Sequence, residues 1–97
     1  MKIRFTTEGK KQFLAVLAYI ARNNLAAAQK FRETAEHALK RIERFPNSGR
    51  MIPDFPDLPY RELVVASYRF FYRLKENTLW VVGVWHGAQV PSEPMDL

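Results

Sequence analysis

The sequence predicts an α+β domain in which a helical hairpin packs on one face of a mainly antiparallel sheet, in the order β-α-α-β-β-β. Three observations carry that prediction. Two stripes of apolar residues at helical spacing lie on either side of Asn23-Asn24. Three runs rich in β-branched and aromatic residues follow from Arg61 to His86, broken at Ser67 and at Glu76-Asn77. Between helices and strands, Pro46, Pro53, Pro56 and Pro59 mark a stiff connection that fits neither pattern. At 97 residues the chain has room for one core, so residues 1–97 read as a single domain.

The elements follow in order. Lys2 to Thr6 alternates Ile3 and Phe5 against Lys2 and Arg4, which predicts a short strand. Thr6 or Thr7 then caps a helix that carries Glu8 in its positive first turn. Phe13, Leu17 and Ile20 form its stripe, widened by Leu14, Val16 and Ala21. Asn24 caps the second helix, whose stripe is Phe31, Ala35, Leu39 and Ile42, with Ala28 and Ala38 keeping the seam thin. Its outer face is charged and offers Glu36 to Lys40 as an i, i+4 pair. Pro46 stops it after Phe45. Strands are expected at Arg61–Ala66, Tyr68–Lys75 and Thr78–His86, and the tail from Gly87 loses periodicity.

Strand parity separates two faces. Tyr68, Phe70, Tyr72 and Leu74 share the side expected under the helices, and Arg69, Phe71 and Arg73 share the other. The last strand divides into Leu79, Val81, Gly83 and Trp85 against Trp80, Val82, Val84 and His86. Both sets are apolar, so this strand is covered on both sides or exposes one tryptophan. Burying arginine on so small a sheet is costly, so Arg61, Arg69 and Arg73 are expected to line an open basic face. The ordinary alternative pairs Arg61 with Glu62, Asp54 or Asp57, and gives Arg50 to loop carbonyls.

Composition bounds the function. A hydrophobic fraction of 47% and an aromatic fraction of 13% belong to a folded globule. The formal charge of +5 favours an acidic partner, although small basic proteins often carry merely solvated lysines. With no cysteine there is no disulfide framework and no thiolate metal site, in keeping with a reducing cytoplasm. The first residues lack a signal-peptide pattern, and the longest apolar run, Phe13 to Ala21, is too short to span a bilayer. A soluble, cytoplasmic protein without a membrane role is expected. His37 and His86 stand far apart with scattered carboxylates, so neither metal nor cofactor is expected. Gly49-Arg50 lacks the glycines and lysine of a phosphate loop. His86, at a strand end, has the chemistry of a general acid or base, with Arg61, Arg69, Arg73 or Arg50 to neutralise phosphate charge. Its ordinary alternative is a histidine that hydrogen-bonds a turn.

Several fragments, taken together, resemble the ParE-type toxins of the RelE/ParE superfamily, the stable halves of type II toxin–antitoxin pairs. They are Tyr19-Ile-Ala-Arg-Asn-Asn-Leu-Ala-Ala-Ala28, Phe45-Pro-Asn-Ser-Gly-Arg50, Arg61-Glu-Leu-Val-Val65, Tyr68-Arg-Phe-Phe-Tyr-Arg73 and Val84-Trp-His86. Five fragments in the family's order span most of the chain. The resemblance implies the RelE/ParE-like fold, growth inhibition, stabilisation of a plasmid or chromosome, and a ParD-like antitoxin in a toxin–antitoxin hetero-oligomer. It further implies a DNA gyrase inhibitor that traps cleaved DNA and blocks replication.

RelE-type relatives instead cut messenger RNA on the ribosome, and that reading stays open as the alternative. In it, His86 would be the acid or base, beside Arg69 and Arg73. Against it, the tail after His86 holds no Tyr, Arg, Lys or His for a second proton transfer. The leading expectation is therefore binding without catalysis, with Arg61, Arg69, Arg73, Trp80 and Trp85 as target contacts. Leu14, Val16, Ala18 and Tyr19 exceed what one sheet contact covers; Leu14, Val16 and Tyr19 are the expected antitoxin contacts, a toxin dimer being the competing use of that surface.

Overall fold

Residues 2–53 and 57–87 are described by the computed structural model of the chain. The expectations for the tail beyond Gly87, and for Asp54 as a partner, lie outside the described residues. Strand β1 spans Lys2–Phe5, helix α1 Thr7–Ala21, helix α2 Leu25–Arg44, β2 Arg50–Met51, β3 Arg61–Val65, β4 Tyr68–Lys75 and β5 Thr78–His86. The sheet order is β1-β5-β4-β3-β2, with β1 parallel to β5 and the other pairs antiparallel. The α+β architecture and the helical hairpin stand as the sequence predicts. The pair Arg50–Met51 adds a short edge strand that two residues are too few to announce.

The helices begin where short polar side chains can catch free N–H groups. Thr6 Oγ1 accepts from the Gly9 N–H at 3.0 Å, and Asn24 Oδ1 accepts from the Ala27 N–H at 3.0 Å. Helix α2 ends at Arg44, one residue before Phe45, since Pro46 cannot continue it. It buries Ala28, Phe31, Ala35, Leu39 and Ile42, the stripe its spacing predicts with Ala28 of the seam added. Each large member of that stripe contributes roughly 1.5–3 kcal/mol by leaving water. On its outer face Glu36 lies 3.8 Å from Arg32 instead of Lys40, an exposed pair of little energetic weight.

Tight turns close the hairpins. Glu76 and Asn77 both have positive φ, 51° and 57°, as a type I′ turn between right-twisting strands requires. Ala66 also takes a positive φ of 52° at the β3–β4 turn, so β3 ends at Val65 and not at Ala66.

A bulge corrects the parity expected for β5. Phe71 faces Gly83 while Tyr72 faces Val81, so Val82 is an extra residue without a partner across β4. Beyond it the alternation inverts. Leu79, Val81 and Val84 now share the core under the helices, whereas Trp80, Val82 and Trp85 share the opposite side. The irregular ladder is supported from α1. Gln12 Oε1 accepts from the Val84 N–H at 2.8 Å, and the Thr6 N–H donates to the Val81 carbonyl at 3.0 Å. Gly9 lets the first turn of α1 approach that closely, because a Cβ there would stand 3.1 Å from the Val81 carbonyl carbon and nearer still to its oxygen.

Two cores result. The larger joins Phe13, Phe31, Leu39, Phe70, Tyr72 and Leu79 under the hairpin. The smaller lies on the far side of the sheet, where Ile52 and Tyr60 from the proline-rich connection cover Phe71 and Val82. The connection is thus a lid as well as a link.

Candidate macromolecule-binding surfaces

The expectation of one open arginine face is revised by that lid. Phe71 is fully buried, and the arginines around it have separate roles. Glu62 organises two of them. Its side chain is fully buried, and Arg69 donates to its Oε2 from Nε at 2.8 Å and from Nη2 at 2.6 Å. Arg50 Nε donates to its Oε1. A buried carboxylate with both oxygens met by guanidinium groups is the arrangement that makes such burial tolerable. Arg69 also lies over the Phe71 ring, 5.1 Å from its centroid, and its side chain is only 12% exposed.

Arg61 falls on the other side of β3, opposite Tyr72, and donates to the Gly49 carbonyl at 2.8 Å. The two structural roles foreseen for arginines are thus exchanged: Arg50 takes Glu62, and Arg61 takes the loop carbonyl. The Tyr72 hydroxyl completes this corner, donating to the Pro46 carbonyl at 2.8 Å and accepting from the Gly49 N–H at 3.1 Å. Burial pushes its phenol above the ordinary 10.0, against the opposing pull of the Gly49 N–H and of Arg61. Arg73 lies over the Tyr60 ring, 5.8 Å from its centroid, and borders a groove shared with Arg61. Trp80 and Trp85 are half-buried against the smaller core. The Trp85 Nε1 has no hydrogen-bond partner among the described residues.

His86 stands elsewhere. It pairs across the ladder with Tyr68, and their rings meet edge-to-face at 5.3 Å. Tyr68 in turn packs on Phe31 of α2, which fixes this pair on the helical side of the sheet. Arg69 pairs with Trp85 and, with Arg73, occupies the far side. The sheet thus passes between His86 and the two arginines.

The surface around α1 is apolar but divided. Val16 and Tyr19 border a groove of about 440 Å³ that Tyr68, Val84 and His86 close. Leu14 borders a separate groove of about 570 Å³ toward β1. Tyr19 and Leu14 are 61% and 52% exposed, large values for such side chains, whereas Val16 is half-buried. Among the described residues no cluster of His, Cys, Asp or Glu is placed to hold a metal, and no helix is long and apolar enough to cross a membrane.

The sequence matches the family described as the ParE toxin of the type II toxin–antitoxin system parDE, over residues 3–91. The chain belongs to that family. The toxin's fold is similar to that of a solved structure of the chromosomal ParDE TA system from P. aeruginosa, with a TM-score of 0.69. The two are 17% identical, and the similarity covers 89% of this toxin and 95% of that chain. At this identity the structural comparison speaks for the fold alone. No curated protein matches the toxin in sequence.

Sequence reasoning missed the residues that shape the far side. In the sequence Glu62 reads only as a partner for Arg61, Ile52 falls in the connection between Pro46 and Pro59, and Tyr60 belongs to no expected element. A signal existed for the first. With a two-residue turn at Ala66-Ser67, antiparallel pairing sets Glu62 diagonal to Arg69 on one face.

Proposed function

We propose that this toxin acts by docking on DNA gyrase and favouring the cleaved-DNA state, and that a ParD-like antitoxin neutralises it. The observation that carries this reading over messenger-RNA cleavage is the sheet standing between His86 and the pair Arg69 and Arg73. General acid–base chemistry on a phosphate needs proton donor and charge stabiliser on the same few ångströms of substrate. Here they face opposite sides, and Arg69 is engaged with Glu62. A binding mechanism asks less of the residues. It needs only surface that prefers one state of the target.

Arg61, Arg73 and Trp80, with Arg69 and Trp85 behind them, are the proposed target contacts. Val16 and Tyr19 in one groove and Leu14 in the other are the proposed antitoxin contacts, so the partner segment wraps α1 from both sides. An exposed tyrosine over an apolar groove suits such an anchor.

One induction experiment tests both parts. Expressed alone, the toxin should provoke double-strand breaks and a DNA-damage response while transcripts stay intact. Co-expressed with the reading frame immediately upstream, it should become harmless, and Tyr19→Ala should weaken that rescue. Transcripts cut on stalled ribosomes without DNA breaks would reject the gyrase reading. Full rescue of Tyr19→Ala, Val16→Ala and Leu14→Ala toxins alike would reject the proposed antitoxin surface.

A further inference from the structure

On the sheet face away from the helices, the cross-strand register sets Trp80 between Arg4 of β1 and Arg73 of β4. One row outward on that face, Thr78 lies between Lys2 and Lys75 in the same way. Residues opposite one another in neighbouring strands share a face at about 5 Å, so the rows form one patch of four cations around an indole. Lys2, Arg4 and Lys75 are exposed, and Trp80 and Arg73 are half-buried. None of the four cations has a carboxylate within ion-pair distance among the described residues. Glu76, at the adjoining turn, pairs with none of them. The contrast within the molecule is informative: the carboxylate of Glu62 meets Arg50 and Arg69, and Arg32 on α2 is matched by Glu36.

A patch of cations that make no ion pair among the described residues, set around a partly exposed aromatic ring, has the recognition chemistry of a stacking platform with phosphate contacts. A duplex keeps its base faces stacked, whereas a single strand can offer one. We propose that this face binds single-stranded nucleic acid directly, with Lys2, Arg4, Arg73 and Lys75 meeting phosphates and Trp80 stacking on a base. The inference goes beyond the gyrase reading and does not depend on it, since the interaction needs no third component.

Fluorescence anisotropy of a labelled oligothymidylate with purified toxin tests it. A strand of about 12 nucleotides suits a platform of this kind. It should bind more tightly than a duplex of the same length, and its log affinity should fall with log salt at a slope of about −2.8 if all four cations engage. Arg4→Ala and Arg73→Ala should each weaken binding roughly three- to tenfold and reduce that slope by about 0.7. Trp80→Ala should cost about tenfold and remove the preference for the single strand, whereas Trp80→Phe should keep most of it. Lys30→Ala with Lys40→Ala, on the exposed side of α2, should change little. Thermal melts establish that each variant is folded, and the exposed changes Lys2→Ala and Lys75→Ala repeat the test if Trp80→Ala is not. The proposal is overturned by absence of binding at low salt, by equal losses from the Lys30 and Lys40 changes, or by a single-strand preference that survives Trp80→Ala.

Discussion

Glu62→Ala should destabilise the toxin by about 3–5 kcal/mol, the usual consequence of removing one partner from a buried ion pair. The expectation follows from position as much as from charge. The Glu62 side chain is fully buried, Arg69 is 12% exposed, and their contact ties β3 to β4 beneath the proline-rich lid. Without the carboxylate, Arg69 and Arg50 would lose the buried charge on which both guanidinium groups converge. Arg50→Ala is a sharp contrast, because the Arg50 side chain is 64% exposed and its share of the interaction is screened by water. That change should cost less than about 1 kcal/mol. Urea unfolding followed by tryptophan fluorescence is well suited, since Trp80 and Trp85 pack in the smaller core. A loss from Glu62→Ala below about 1 kcal/mol would show that this carboxylate does not tie β3 to β4.

Gly49→Ala should be comparably severe. A Cβ at Gly49 would come within 2.7 Å of Tyr72 Cε1 and 2.8 Å of its Cζ, and closer to the hydroxyl. The ring has nowhere to retreat, because Tyr72 is only 1% exposed and lies in the larger core. Overpacking of about 1–3 kcal/mol adds to loss of the hydrogen bonds through which Tyr72 holds Pro46 and Gly49, so roughly 3 kcal/mol is expected. The same corner sets an alkaline limit. Because burial raises the Tyr72 pKa in the folded chain, the unfolded chain releases this proton first. The stability tied to the protonated phenol is complete below pH 10.0 and is lost as pH rises through the folded value. Tyr72→Phe should remove that alkaline component, and a Gly49→Ala toxin as stable as the parent would contradict the packing described.

Much of this fold was legible because its signals are local. Thr6 and Asn24 announce helix starts, the α2 stripe announces a buried face, and Glu76-Asn77 announces a turn. What escaped depends on contacts between distant segments. No local pattern shows that Val82 is an extra residue, yet it inverts which side Val84, Trp85 and His86 occupy. Nor does a run of prolines show that Ile52 and Tyr60 fold back over Phe71. The arginine roles were the hardest to read, because a guanidinium reaches several partners and only tertiary placement selects one. The candidate site was therefore legible as a set of residue types and illegible as an arrangement. The sequence alone grouped His86 with Arg69 and Arg73, which the bulge and the pleat send to opposite sides.

The proposed inhibition by binding, without catalysis at His86, is tested most directly on the proposed target itself. Purified toxin added to DNA gyrase and a supercoiled plasmid should make cleaved, gyrase-linked DNA accumulate, and His86→Gln should do so to the same extent. If cleaved DNA does not accumulate, and the toxin instead cuts messenger RNA on ribosomes in a manner that His86→Gln abolishes, the account is contradicted.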